Sequence, residues 1–410
     1  MKPKKIAFLG LFGQQNLGNE CTLQAMIHHT RKRAPEADLL CICTGPDDTR
    51  SRHGIPAFEM YAPPSPKASR KNGSSESLIR RTAGRAWREF HHGLRAFRVL
   101  RGTGLLIVPG TGLLVDHTTG FQGYPYYLFK WALIAKLRRC KVLVLSVGAG
   151  PIVHPLSKLL IKGALRLADH RSYRDTFSKE YLEGIGFSTK GDPICPDLAF
   201  SLPEGMFPES RRTDTAQTIV GVGLIDYYGQ GNKFGKKGDE VYKDYIDKTG
   251  ALISWLLDHH YRVRLLLGDM EYDMKAIRDV MNYLQHHKDM REDGQVISEP
   301  IDSVAELLAR LAGTDIVISP RYHNVILSLM LKKRAISLSY NEKFEALMHG
   351  FELDTYCLRL DELDVNRLIE QLISIEREGD RLSASIGKRA DEYRRALNDQ
   401  YETVFAKWGR

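Results

Sequence analysis

Asp315-Ile-Val-Ile-Ser319-Pro320-Arg321-Tyr322-His323-Asn324 is a short apolar run that stops at a serine and a proline. It gives way to a second apolar stretch, Val325–Leu331, of helical character. A run this short, without polar alternation, reads as a strand buried on both faces. Strands of that kind belong to parallel sheets covered by helices. The same pattern recurs at Ile6–Leu11, Leu39–Thr44, Leu105–Pro109 and Val142–Val147, and again at Thr218–Leu224, Arg262–Leu267 and Arg334–Ser339. The spacing predicts an α/β protein of two Rossmann-like doubly wound domains facing across a cleft, where a ligand would bind. The expected bounds are 1–204 for the first domain and 218–364 for the second. Residues 365–410 are expected to form C-terminal helices packing back on the first domain, with Leu368, Leu372 and Ile375 on one helix face. The stretch Leu202–Gln217, with two prolines and Gly205, reads as the linker.

A chain of 410 residues is too long for one ordinary core, and 43% hydrophobic with 27% charged residues is globular composition. Six cysteines stand at 21, 41, 43, 140, 195 and 357 without a CxxC pair. They suit reduced thiols in a cytoplasmic protein better than a disulfide frame or a zinc site. The longest apolar stretches are far too short to span a bilayer, and Gln14-Gln15-Asn16 interrupts the first one too early for a signal peptide. A net charge of +9 points to acidic partners: nucleic acid, phosphorylated small molecules or anionic lipid. The basic residues show no regular aromatic interleaving and no nucleic-acid module, which sets nucleic acid aside.

Residues 62–76, rich in proline and serine, read as a loop, and Ser77–Leu100 as an amphipathic helix. Trp87, Phe90, Leu94 and Phe97 recur at helical spacing, with arginines at 80, 81, 85, 88, 95 and 98. The aromatic stripe is expected to pack on the first domain with the arginines in solvent. Peripheral contact with an anionic membrane is the alternative.

Several motifs sit at strand ends. Gly10-Leu-Phe-Gly13-Gln-Gln-Asn16-Leu-Gly18-Asn19-Glu20 follows the first strand. A helix starting near Asn19 would offer free amides to a ligand or, more plainly, take Asn19 as its N-cap. Its glycine spacing is that of a P-loop, but Asn19 and Glu20 replace the Lys and Ser/Thr that ATP binding needs. Pro109-Gly110-Thr111-Gly112 leads to Asp116 and His117. Asp116 could act as a base or orient a hydroxyl, or could cap a helix. Ser146-Val-Gly148-Ala-Gly150-Pro151 would let a ligand approach backbone. In Ser172-Tyr-Arg174-Asp175, Arg174 suits a carboxylate or phosphate, or pairs with Asp175. Arg321 and His323 at a helix mouth combine a permanent cation with a group that exchanges protons near neutral pH, and Lys343 adds charge after the next strand.

In order and spacing these segments resemble the polysaccharide pyruvyl transferase family across roughly residues 5–355. The chain departs from that family at Asn19, where Asp is usual, and at Tyr322, where Leu is common. The resemblance implies a glycosyltransferase-B-like architecture and transfer of a pyruvyl ketal from phosphoenolpyruvate to a sugar. The acceptor would be a saccharide or lipid-linked saccharide, the precursor of an exopolysaccharide or other glycan. It further implies that Arg174 and Arg321 clamp the donor with Tyr322, His323 and Lys343, that His323 is the acid, and that Asp116 is the base or the group that orients the acceptor. Gly13, Asn16, Gly18, Asn19 and Gly112 fall to the acceptor. Neither a cofactor nor a metal is needed. A glycosyltransferase using a nucleotide sugar and a non-catalytic sugar- or anion-binding protein are the rival readings.

Overall fold

The computed structural model describes residues 4–63, 78–116, 119–208, 217–229, 236–270, 272–287 and 294–408. Most of the expected loop at 62–76 (from 64 onward), His117 and half of the expected linker (209–216) lie outside the described residues, as do the side chains of Arg80 and Arg81. The chain divides into two compact units. One holds residues up to Gln14, Met26–Cys195 and Gln400 onward; the other holds Gln15–Ala25 and Pro196–Asp399.

In the first unit the elements run β1 (Lys5–Gly10), α1 (Leu17–Arg33), β2 (Asp38–Cys43), α2 (Pro46–His53), β3 (Ala57–Glu59), α3 (Leu78–Val99), β4 (Leu105–Pro109), α4 (Tyr124–Leu137), β5 (Lys141–Val147), α5 (Pro155–Leu167), β6 (His170–Tyr173) and α6 (Thr176–Gly184). Its six strands lie parallel in the order β3-β2-β1-β4-β5-β6, with Ile6 opposite Leu39 on one side and Leu105 on the other. Every residue of β4 is buried, as a strand with neighbours on both edges and helices on both faces must be.

The second unit adds β7 (Ile219–Gly223), α7 (Lys236–Asp258), β8 (Arg262–Leu266), α8 (Asp273–His286), β9 (Val296–Ile297), α9 (Val304–Ala312), β10 (Ile316–Ser319), α10 (Tyr322–Met330), β11 (Arg334–Ser339), α11 (Glu342–Gly350), β12 (Cys357–Arg359) and α12 (Val365–Trp408). Its parallel sheet runs β12-β11-β10-β7-β8-β9, the same winding as the first when counted from β7. Strand order reverses between β1 and β4 and between β7 and β10. The carboxyl ends at such reversals are where doubly wound sheets bind ligands. Both sheets are Rossmann-like, as expected.

The units do not follow the linear bounds expected from the sequence. Gln15–Ala25 joins the second unit because its backbone adds to the loop after β8: Leu17 N donates to Gly268 O at 3.1 Å and Met270 N to Gln15 O at 3.3 Å. α12 stays with the second unit through Asp399 and is broken at Gly379 (φ 56°, ψ −139°). Its last residues belong to the first unit, where Gln400 Nε2 donates to Ser146 Oγ at 3.1 Å and Tyr401 stacks on His29.

α3 corrects another expectation. Its buried face is built by His92, Ala96 and Val99, while Trp87, Phe90, Leu94 and Phe97 are exposed. The aromatic stripe therefore does not pack on the first domain. All six cysteines are free thiols, five of them buried. Among the described residues no helix is long and apolar enough to cross a membrane.

Candidate active site

In the second unit, the carboxyl ends of β8, β10 and β11 collect the chemistry. Asn16 caps α1: its Oδ1 accepts the Asn19 amide at 3.2 Å, so the helix starts at Leu17 and Asn19 lies in its first turn rather than at the cap. Asn16 Nδ2 also donates to Asp269 Oδ2 at 3.3 Å, which fixes this turn to the loop after β8. Gly18 follows, and its missing side chain leaves room for His323. A Cβ there would stand 2.0 Å from His323 Nδ1. Two segments three hundred residues apart thus meet through a glycine that sequence reasoning had placed on the acceptor side.

His323 lies in the first turn of α10, a helix whose N-terminal turn has no side-chain cap and no acidic residue. The first turn of a helix presents amides that have no intrahelical partner, which suits an anion. The His323 ring turns Nε2 towards Asp197 Oδ1 at 3.8 Å, and Nε2 makes no hydrogen bond. Asp197 is buried and is held by a bond from the Ala199 amide at 3.0 Å, as cap of the 3-10 turn Leu198–Ser201. Sequence reasoning missed Asp197, which lies in none of the motifs singled out at strand ends. Beneath it, burial pushes the Cys21 thiol well up, and Asp197 and then Glu20 push it further.

Arg321 is not the open fork that its position suggested. Its Nε donates to Asp273 Oδ2 at 2.9 Å and its Nη2 to Asp273 Oδ1. Asp273 is fully buried and also accepts the amides of Gly268 (2.8 Å) and Asp269 (2.9 Å). Burial pushes the Asp273 carboxyl up, against the pull of Arg321 and these amides. For Arg321 burial works downward, yet Asp273 outweighs it and the pKa is raised. Four donors on its two oxygens hold the carboxylate in a fixed pair with Arg321. Asp273 thus holds the Nε–Nη2 edge of the fork. The arginine stem runs along Gly268, where a Cβ would come within 3.0 Å of Arg321 Cδ.

Tyr322 is buried, edge-on to His323 and Phe344 (centroids 5.4 Å in both cases), so it packs the site from behind. The Lys343 ammonium lies over the rings of Tyr322 (5.1 Å), Phe344 (5.4 Å) and Tyr340 (5.8 Å), in the first turn of α11.

The remaining predicted residues belong to the first unit. Gly13 has φ 76° and closes against Gly45, whose carbonyl oxygen a Cβ would meet at 1.8 Å; that role is structural. Gly112 is exposed with open space around it. Asp116 is buried and accepts the amides of Val153 (2.9 Å) and His154 (2.8 Å), just ahead of α5, whose cap is His154. Arg174 Nε lies 3.1 Å from Asp175 Oδ2, and its guanidinium covers Gly148, where a Cβ would meet Nη2 at 2.4 Å. Asp175 caps α6 through the Ser178 amide at 2.7 Å. Among the described residues no three His, Cys, Asp or Glu side chains form a group that could hold a metal ion.

Solved structures at low identity share this fold. Staphylococcus aureus MnaA, in a co-structure with UDP, is 11% identical with a TM-score of 0.60, over 98% of this chain and 96% of that one. A UDP-GlcNAc 2-epimerase from Methanocaldococcus jannaschii is 9% identical (TM-score 0.59; 96% and 99% covered). Acinetobacter baumannii MurG is 9% identical (TM-score 0.54; 98% and 99% covered). These are enzymes of the glycosyltransferase-B fold, and the likeness establishes that architecture for this chain. No match is found among curated proteins. A sequence model of the polysaccharide pyruvyl transferase family matches residues 16–342, from the Asn16 cap past His323 to the first turn of α11, and the chain belongs to that family.

Proposed function

We propose that the protein transfers the enolpyruvyl carbons of phosphoenolpyruvate to two hydroxyls of a saccharide, free or lipid-linked, as a cyclic ketal, and that it works in the cytoplasm. The observation that carries this reading is the His323 ring, seated on Gly18 with Asp197 behind Nε2, at the uncapped start of α10 beside Arg321. The donor brings a phosphate and a carboxylate. The amides at the start of α10, Arg321 and Lys343 supply charge for them. The six free thiols suit a reducing compartment.

In this scheme His323 is the proton donor. Asp197 stabilises the imidazolium through Nε2, which leaves Nδ1 to deliver a proton to the methylene carbon. The adjacent carbon becomes electrophilic and one sugar hydroxyl adds to it, returning its proton to His323. A second hydroxyl then displaces phosphate, which carries that hydroxyl's proton away. The products are the ketal and inorganic phosphate. Asp116, turned to two backbone amides, serves to shape the Val153–His154 loop rather than as a base. No metal or cofactor enters the scheme, so transfer persists in EDTA.

The test is thermal shift with phosphoenolpyruvate against a panel of nucleotide sugars, followed by phosphate release with candidate acceptors. Selective stabilisation by phosphoenolpyruvate is expected. Stabilisation by nucleotide sugars alone would overturn the proposal in favour of glycosyl transfer.

A further inference from the structure

We infer that the outer face of α3, with the adjoining face of α4, is a docking surface for an anionic lipid bilayer. This inference does not depend on the donor chemistry. At about 100° per residue, Trp87, Phe90, Leu94 and Phe97 share an arc of roughly 80°. They are 64%, 58%, 42% and 41% exposed. The buried residues of the same helix, His92, Ala96 and Val99, lie on roughly the opposite side. The helix is thus amphipathic twice over: a narrow buried face holds it to its unit, and a wider aromatic face looks outward.

The apolar surface continues onto α4. Lys130, Leu133 and Leu137 share one face of that helix, and Lys130 Nζ reaches Glu89 of α3 at 2.6 Å. Leu133 and Leu137 are 39% and 66% exposed. Arg138, next to Leu137, lies with its guanidinium 4.5 Å from the centre of the Phe97 ring, which joins the two helices' outer surfaces. A contiguous exposed patch of large apolar side chains marks an interaction site.

The charge around the patch selects its partner. Arg98 stands at one border of the stripe, about 20° beyond Trp87, and Arg95 and Arg88 lie further round on that side, about 80° and 100° beyond it, between the stripe and the buried face. The acid within this stretch of α3, Glu89, is already neutralised by Lys130. A second copy of the chain is a poor occupant. A two-fold contact would lay the stripe on itself and bring the arginines of both copies together. A surface of phosphate headgroups over an apolar interior complements aromatic stripe and arginine border at once, with the aromatic rings at headgroup depth.

The experiment is co-sedimentation with phosphatidylcholine vesicles, with and without phosphatidylglycerol, at low ionic strength and at about 0.5 M salt. Wild-type protein is expected to bind the phosphatidylglycerol vesicles at low salt and to be released by salt. Arg88→Gln/Arg95→Gln/Arg98→Gln should weaken partitioning about 100-fold, from three lost charge contacts. Trp87→Ser/Phe90→Ser should weaken it at least about tenfold. Trp87, Phe90, Arg95 and Arg98 are exposed and Arg88 is half-buried, and both changes should leave the melting temperature nearly unchanged. A blue shift of tryptophan emission on vesicle addition, absent in Trp87→Phe, would place the stripe in the bilayer. The inference is overturned if wild-type protein ignores anionic vesicles at low salt, or if the variants bind as well as wild type. It is equally overturned if the protein is a lipid-free dimer that Trp87→Ser/Phe90→Ser dissociates, which would make the stripe a self-interface.

Discussion

Gly18→Ala is the sharpest test of the second-unit site. The new methyl carbon would stand 2.0 Å from His323 Nδ1 and 2.5 Å from Cγ. An ordinary contact is about 3.5 Å, so the ring or the helix has to move by about 1.5 Å. Two effects oppose each other. Alanine is the better helix former and gains at most about 1 kcal/mol over glycine in α1. Overpacking a filled site costs about 1–3 kcal/mol, and both near neighbours are constrained: Gly18 by the helix and His323 by the first turn of α10. Strain wins, and the expected result is a lower melting temperature. Displacing a proton donor by an ångström costs about 10²-fold in rate, so turnover should fall by about that factor. The decisive assay is a double-mutant cycle in urea. Because His323→Ala removes the obstacle, Gly18→Ala should cost little stability in that background, with a coupling energy of about 0.5–3 kcal/mol. Full activity and full stability of Gly18→Ala would refute the reasoning, as would an equal loss of stability in the two backgrounds.

Asp273→Ala should cost about 3–5 kcal/mol by leaving the Arg321 guanidinium buried and unpaired; Asp273→Ala/Arg321→Met should recover much of this in denaturant melts. Asp197→Asn should lower kcat about 10²–10⁴-fold with little change in KM for phosphoenolpyruvate, and should displace the pH–rate profile, a readout that a merely structural role would leave in place. His92 is buried edge-on to Tyr127 and Trp131 without a hydrogen bond to either ring nitrogen, and burial pushes its pKa down to about 4 from 6.5. The unfolded chain takes up this proton near pH 6.5 and the folded one only near pH 4, so stability is complete above pH 6.5 and falls as pH drops through that window. His92→Phe should flatten that acid limb when melting temperatures are compared between neutral pH and about pH 4.5.

The central strands were legible without coordinates. β1, β2, β4 and β5, with β7, β8, β10 and β11, are covered on both faces and paired on both edges. Such positions demand unbroken apolar runs, which is why the doubly wound class could be read directly. The strands that escaped notice, β3, β6, β9 and β12, are the sheet edges. They are two to four residues long and partly polar, because an edge is paired on one side only. The placement of Arg321 and His323 was legible too, since a proline-broken strand end followed by a helix puts them at the carboxyl end of β10.

What the residues around them do was settled only by packing. A sequence carries no record that Gly18 is the seat of His323, that Asp197 stands behind its ring, or that Asp273 occupies the fork of Arg321. Those partners lie from 48 to more than 300 positions away and are chosen by the sheet crossovers, not by local propensity. The same holds for α3. Its apolar spacing predicted a helix with a sticky face, and the spacing was right. Which way that face points is fixed by the rotation at which His92, Ala96 and Val99 lock the helix to its unit. Periodicity gives the existence of a face; only tertiary contacts give its direction.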